Sequence, residues 1–315
     1  MAPVLLTCNA PKSKLALCRN LLVDKGVRIL AWVNILVSLC GNVFVLSYRN
    51  FASSTNLGNN AIITSLALSD IMMSFYLLGM VIADHVYMDK YILHEESWTS
   101  SINCKTLTCL STTSSEMSFF IGVFLPYFYL YAVGFRKSKG GIKPLKLYGL
   151  CCLIWLVSLL LGLTPVLLLD IKDNHLCLLF TIGQSSKMIY YNIGVFVVLN
   201  GLLMIGSMLP AFLLAQIIRK SQQAVQMKGH VSRRKSLTAI YMWLFILVLF
   251  NMVCWIPIQI LLVLSVSGYH LDDKFLQWFI VLIVPLSSNG NPFLHTIRPI
   301  VFKIAKSLQM KKNPT

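Results

Sequence analysis

The sequence predicts an all-α membrane protein: a bundle of seven transmembrane helices with a short amphipathic helix on the cytoplasmic side. Of its 315 residues, 57% are hydrophobic and 12% are charged, about half the charged fraction of a soluble domain. The apolar residues form seven runs of about 20 residues or more, the length that crosses a bilayer core. The predicted spans are 27–49, 59–84, 104–135, 146–169, 188–219, 236–266 and 275–297.

Basic residues gather on one side of the predicted membrane. Loops alternate sides, and one set of loops with the C-terminal tail holds 17 of the 27 Lys and Arg residues and no acidic residue. An excess of Lys and Arg marks the cytoplasmic face, so we expect the N-terminus outside and the C-terminus inside. The cytoplasmic clusters include Arg136, Lys137, Arg233, Arg234 and Lys235. Topology and attraction to anionic lipid explain most of the net charge of +16 without nucleic acid; an acidic or helical partner is the alternative.

This topology divides the chain into three parts. Residues 1–26 are expected to be a short extracellular tail, residues 27–297 the bundle, and residues 298–315 a cytoplasmic helix and tail. In the last part, Pro299 to Gln309 combines apolar residues that can face lipid with lysines whose ammonium groups can reach water. The sequence therefore predicts a membrane-surface helix there.

The cysteines predict a disulfide on the outer side. Cys104 opens span three and Cys177 lies between spans four and five, so a bond between them would tie the long outer loop over the bundle. Outer disulfides persist because that environment is oxidising. Cys109 is the competing partner. Cys8 and Cys18 are a second, separate candidate pair.

Most spans carry a polar, bulky or kinking residue deep inside. Such residues are expensive in hydrocarbon and usually have a function. In chain order they are Asn42, Asp70, Glu116, Trp155, Trp255 with Pro257, and Asn291 with Pro292. The order of these residues on seven spans is far more specific than any one of them.

Together these marks resemble the rhodopsin-like (class A) G-protein-coupled receptors. Narrower features resemble the leucine-rich-repeat-containing receptors, especially the relaxin-receptor branch, over residues 27–305. They are Ser114 to Ser118, His94 to Trp98, Cys254 to Pro257, and Val284 to Leu286 before Asn291. Receptors of that branch carry a large leucine-rich-repeat outer domain that captures a peptide hormone. Only 26 residues precede span one here, so either that domain was lost or the chain is a fragment.

The resemblance implies a polar pocket around Asp70, formed with Asn42, Ser118 and Asn291. In the family this pocket often holds sodium, and oxygen ligands suit such a hard cation. The alternative is a structural aspartate hydrogen-bonded to protein and water without an ion. Ser287 favours that alternative, because relatives usually have asparagine there.

The resemblance also implies an activation switch. Pro257 removes a backbone hydrogen bond and kinks span six, and Trp255 can repack when a ligand pushes from outside; a static kink beside a core aromatic is the alternative. Asn291 and Pro292 should act similarly in span seven. The family ends that motif with tyrosine, whereas this chain has His295. A merely solvated histidine is the alternative.

Glu116 is an acid that the relaxin-receptor branch shares. We expect it to join a polar network rather than to contact ligand directly. It could pair with Thr112 or Thr113, one turn back, or with a neighbouring span.

The G-protein-facing motif departs from the family. Family members have acid-arginine-aromatic where this chain has Phe128, Tyr129 and Leu130. Leu237 stands where many relatives keep an acidic partner for that arginine, and Asn251 replaces the aspartate of some close relatives. Tyrosine offers no charge-assisted hydrogen bond, so weakened or atypical coupling is expected.

The expected function is therefore a plasma-membrane receptor that transduces an extracellular signal to heterotrimeric G proteins, with a peptide as the candidate ligand. One alternative is a non-signalling receptor-like protein, such as a decoy or the partner in a receptor dimer. A chemosensory receptor is a rival within the same fold. An enzyme is not expected, because no nucleophile–base pair or phosphate loop stands out, and a transporter would need internal repeats.

Overall fold

The residues that the computed structural model describes form seven helical spans and one short outer helix. The described residues are 20–22, 24–51, 57–134, 144–169, 176–178, 186–226, 231–267, 269, 273–297 and 300–301. Spans one to four are single helices, Lys25–Phe51, Leu57–Val86, Ile102–Gly134 and Pro144–Leu168. Span six is the helix Val231–Val266. These bounds agree with the sequence prediction to within a few residues at most ends.

Spans five and seven are not continuous α-helices. Span five consists of Ser186–Asn192, a π-helical segment Ile193–Leu199, and Asn200–Gln226. Span seven consists of Asp273–Ile283, then Leu286–Pro292 after a turn at Val284 and Pro285, and a π-helical segment Phe293–Ile297. Extra backbone residues of this kind are frequent at functional sites, so both interruptions belong to the description of the site.

An outer helix between spans two and three was not predicted. It runs from Tyr91 to Ser100 and buries Tyr91 and Trp98 against the bundle. The Tyr87 and Trp98 rings meet edge to face, with centroids 5.8 Å apart. This helix therefore covers the outer ends of spans two and three.

Hydropathy supports a membrane location for most of the bundle. In the described part of the chain, spans one, two, four, five and six are long and apolar enough to cross a membrane. Span three is diluted by hydroxyl side chains over residues 111–115, and span seven is divided by its turn. Only 28% of the apolar window of span four is buried in the protein, which leaves most of that helix to face lipid.

Spans three and four approach each other closely at Gly162. A Cβ atom added at Gly162 would lie 2.9 Å from the Cys109 carbonyl oxygen and would overlap the Thr113 hydroxyl. Small residues at such contacts let membrane helices pack backbone to backbone. The two helices have no room to accept a methyl group there without separating.

Gly162→Ala is expected to lower the free energy of unfolding by roughly 1–3 kcal/mol, the usual effect of overpacking. Gly149→Ala is the matched control on the same helix, because nothing lies within 4 Å of a Cβ at Gly149; helix propensity should make it neutral or slightly stabilising. Thermal unfolding of the purified variants compares them. Equal unfolding midpoints for the two variants would contradict the close approach.

Candidate functional site

The chain just before span one is packed into the outer end of the bundle. Leu21 and Leu22 are 0% and 3% exposed. The Leu22 N–H donates to Asp84 Oδ1 at 2.7 Å, and the Arg28 guanidinium donates to the Leu22 carbonyl at 3.1 Å. Arg28 Nε also lies 2.6 Å from Asp84 Oδ2 in an ion pair whose aspartate is 2% exposed. Asp84 thus holds the pre-span segment and span one against span two.

Span seven also contacts the segment before span one. Gln277 donates to the Leu21 carbonyl at 3.0 Å, and Lys274 lies 3.2 Å from Asp24. The Gly26 N–H and the Lys274 ammonium hold the pKa of Asp24 below its usual value. We call residues 20–22, Asp24, Arg28, Asp84, Lys274 and Gln277 the outer clamp. The outer clamp was not predicted from the sequence, because nothing in the residue pattern links Arg28 to Asp84.

The disulfide between Cys104 and Cys177 is confirmed: the two sulfurs are bonded and the Cα atoms lie 5.2 Å apart. Cys109, the competing partner, is a free thiol. Tyr76 donates to the Leu176 carbonyl at 2.9 Å, which fixes the disulfide's loop to span two. Cys8 and Cys18 lie outside the described residues.

Asp70 and Asn291 meet at the centre of the bundle. The Asn291 amide donates to Asp70 Oδ2 at 2.9 Å and to the Ser118 hydroxyl at 3.4 Å. Spans two, three and seven are therefore joined through one side chain. Asn42 lies beside this cluster but donates elsewhere, to the Ser38 and Ser288 carbonyls at 2.9 and 3.0 Å.

Asp70 Oδ1 receives no hydrogen bond from the described residues, although Asp70 is completely buried. An unpaired carboxylate oxygen in a low-dielectric interior is costly. A buried carboxylate oxygen without a protein donor fits either an ordered water, which can donate to it, or a sodium ion, which it can ligate. The geometry at Asp70 thus suits both alternatives for this pocket, the ion that the resemblance implies and an aspartate hydrogen-bonded to water.

Trp255 packs on the residue of span three that directly follows Ser118. It is 3% exposed, and its ring meets Phe119 of span three edge to face with centroids 4.8 Å apart. Pro257 lies inside the same helix, so a kink and a large side chain that packs on span three occur within one turn. This is the local geometry that a repacking switch would need.

A small cavity separates the cluster from the cytoplasmic end. It measures about 20 Å³, enough for a single water. Its polar lining is Ser118, Asn251, Cys254, Ser287, Asn291 and His295. Asn251 also packs tightly on span three: a Cβ at Gly122 would lie 2.7 Å from its side-chain oxygen.

His295 is buried rather than solvated. It is 9% exposed and lies in the π-helical end of span seven. Arg49 of span one donates to the His295 carbonyl at 3.1 Å and to the Asn60 side chain at 3.2 Å. Arg49 therefore ties spans one, two and seven together at the cytoplasmic end, a role beyond its share in the cytoplasmic excess of basic residues.

Glu116 pairs with a neighbouring span. Asn200 of span five donates to Glu116 Oε1 at 2.9 Å. Thr112, the alternative partner, donates to the Thr108 carbonyl instead, and Thr113 lies 3.9 Å from the Cys109 sulfur. Asn200 was not singled out from the sequence, since an asparagine late in an apolar run gives no sign of its partner.

The cytoplasmic motif is described only in part. Phe128 and Leu130 pack partly buried against the core, and Pro126 lies inside the helix. The side chain of Tyr129 lies outside the described residues. So do Arg136 and Lys137, the side chains of Leu237, Arg233, Arg234 and Lys235, and nearly all of the predicted surface helix after residue 301.

Comparison with known proteins agrees with this architecture. The family described as 7 transmembrane receptor (rhodopsin family) matches residues 41–295. The G-protein coupled receptor GRL101 of Lymnaea stagnalis is 28% identical, a match that covers 96% of this chain and 27% of that receptor. Relaxin receptor 2 of Homo sapiens is 24% identical over 96% of this chain and 41% of that receptor. Relaxin receptor 1 of Rattus norvegicus is 24% identical, with 96% and 40% covered. The chain thus spans less than half the length of these relatives.

Proposed function

Since the chain belongs to the rhodopsin family of seven-transmembrane receptors, we propose that it carries an extracellular signal to heterotrimeric G proteins with weakened coupling. The observation that best supports this is the contact of Asn291 with both Asp70 and Ser118. It lies beside the packed Trp255 and Phe119 rings. A ligand-induced shift of span six would therefore change the surroundings of a side chain that joins three spans.

The outer clamp is the proposed point of input. It links the main chain at Leu21 and Leu22 to Gln277 and Asp84, so a displacement of this segment acts on spans two and seven at once. Relatives named relaxin receptors cover this chain almost completely, which supports a peptide-class extracellular ligand. We place the N-terminus outside the plasma membrane, because the acid-free loops rich in Lys and Arg mark the cytoplasmic face.

Weakened coupling is proposed from the motif at the end of span three. Phe128, Tyr129 and Leu130 occupy the place of acid-arginine-aromatic. Tyrosine can offer a hydroxyl but not the stronger charge-assisted bond that arginine makes. The same replacement favours a second candidate, a receptor-like protein that reaches the surface without signalling, for instance as a decoy or dimer partner.

Tyr129→Arg separates these candidates. Expressed at the cell surface, the original chain should give low G-protein activation above vector, and Tyr129→Arg should raise it several-fold because a charged contact is restored. We would measure cyclic AMP together with dissociation sensors for each G-protein class. Tyr131→Arg is the matched control, since Tyr131 lies on the same helix end with an exposed side chain.

The comparison requires that all three proteins are present in equal amounts at the cell surface. If neither the original chain nor Tyr129→Arg activates any G protein, signalling fails and the decoy or dimer-partner function takes its place. If Tyr131→Arg raises the signal as much as Tyr129→Arg, the effect comes from added charge and not from the motif.

A further inference from the structure

Glu116 is a completely buried acid in the middle of span three. Its only hydrogen bond within the described residues comes from the Asn200 amide to Oε1. Neither ion pair of the described residues, Arg28 with Asp84 and Lys274 with Asp24, involves it. A buried carboxylate without a cation and with one neutral donor is a poor way to keep a negative charge.

Two oxygens of this pair lack a partner. Glu116 Oε2 and Asn200 Oδ1 are both buried and receive no hydrogen bond from the described residues. Both atoms are acceptors when Glu116 is ionised, so neither can satisfy the other. A proton on Oε2 changes this, because the acid then donates to Asn200 Oδ1 while the Asn200 amide still donates to Oε1. One proton would therefore satisfy both atoms after a small rotation of the two side chains.

Within the described residues, no nearby titratable group donates a hydrogen bond to the free oxygen of Glu116. Span five contributes Tyr191, whose hydroxyl donates to the Leu161 carbonyl at 2.5 Å. On span three itself the nearest thiol is Cys109, seven residues away, and it contacts Thr113. The other packed spans contribute Asp70, Cys151 and Cys254, none of which is hydrogen-bonded to Glu116 in the described structure. Among the described residues, Asn200 is therefore the group placed to share a proton with Glu116.

The position of Asn200 depends on the unusual turn of span five. Asn200 directly follows the π-helical segment Ile193–Leu199, and its backbone N–H donates to the Val195 carbonyl five residues earlier. A π turn inserts an extra residue and so rotates the side chains on either side of it relative to a regular helix. The contact with Glu116 and the wide turn therefore occur at the same place.

We propose that Glu116 is a proton-binding site: in the resting bundle it carries a proton, forms a reciprocal acid–amide pair with Asn200, and so holds the π turn of span five against span three. Loss of the proton leaves two acceptors face to face and loosens that contact. The proposal concerns a site beyond the coupling proposed above and does not require the chain to signal.

Infrared spectroscopy of the purified chain in nanodiscs tests the proton directly. At neutral pH we expect a carbonyl band of a neutral carboxylic acid that Glu116→Gln removes and that Asp70→Asn, the matched control for the other intramembrane acid, leaves in place. Asn200→Leu should shift the band to higher frequency, because the acid loses its acceptor. If Glu116→Gln instead removes a carboxylate band, the acid is ionised and the proposal is overturned.

Thermal unfolding over a pH series tests the pairing. Glu116→Gln should unfold at the same temperature as the original chain near neutral pH, since a glutamine amide can donate and accept as the neutral acid does, whereas Glu116→Leu should unfold earlier. Folding that takes up a proton loses stability as the pH rises. The original chain should therefore fall below Glu116→Gln at alkaline pH. If the unfolding temperatures of the original chain and Glu116→Gln differ by the same amount at every pH, the pair does not depend on a proton.

Discussion

Asp84→Ala is expected to lower the free energy of unfolding by roughly 2–4 kcal/mol. The carboxylate accepts from the Leu22 N–H at 2.7 Å and pairs with Arg28 at 2.6 Å. Its removal leaves a largely buried guanidinium and a buried main-chain donor without their acceptor. The effect should lie below that of a completely buried pair, because the Arg28 side chain keeps 21% of its surface exposed.

Thermal unfolding in detergent and surface labelling in cells would both report this loss. Glu96→Ala is the matched control, an exposed acid on the same outer face, and should change neither. Asp84→Asn should lie between, because its amide oxygen can still accept from Leu22 but no longer carries the charge. In the double variant with Arg28→Met the loss should be smaller than the sum of the two single losses, since the pair is broken only once. Additive losses would show that Asp84 and Arg28 act independently.

Cys104→Ser or Cys177→Ser should destabilise the bundle by roughly 2–4 kcal/mol, with a matching fall in surface expression. The two cysteines are separated by 73 positions in the sequence. Without the bond the unfolded chain gains conformational entropy, and the gain is larger for a longer loop. The membrane already restricts the helices within that loop, so the effect should not reach the largest values known for disulfides. Removing both cysteines should cost no more than removing one.

Cys109→Ser distinguishes this bond from its rival. Cys109 is a free, half-buried thiol five residues from Cys104, so its loss should leave expression and thermal unfolding nearly unchanged. Non-reducing mass mapping of the outer peptides gives an independent reading. Recovery of a peptide joining Cys109 to Cys177 would overturn the pairing described here.

The spans could be predicted from the sequence because a bilayer imposes length and hydropathy on every helix that crosses it. The same uniform requirement gives little sign of where spans five and seven are interrupted. Proline at position 285 marks a break in span seven, but the π-helical turns at 193–199 and 293–297 depend on which carbonyl each N–H reaches. Apolar residues of any spacing suit hydrocarbon, so composition does not indicate which carbonyl each N–H will reach.

Site residues could be predicted only where the side chain itself is unusual for its surroundings. Asp70 and Asn291 stand out because each is a polar group in hydrocarbon, and they do meet. Asn42 stands out equally, yet its amide turns to main-chain carbonyls, because helix rotation decides the partner. Leu22 and Asp84 are 62 residues apart and touch through a main-chain N–H, a group that every residue except proline possesses and that no sequence pattern can single out.

The outer clamp has a mechanical consequence. A pull on the chain at Asn20 does not load span one alone, because the Leu21 carbonyl and the Leu22 N–H are held by Gln277 and Asp84. The load is shared among three helices before the first turn of span one can unwind. Tension from outside would thus reach spans two and seven as a tilt of their outer ends, and these same spans carry Asp70 and Asn291 deeper in the bundle.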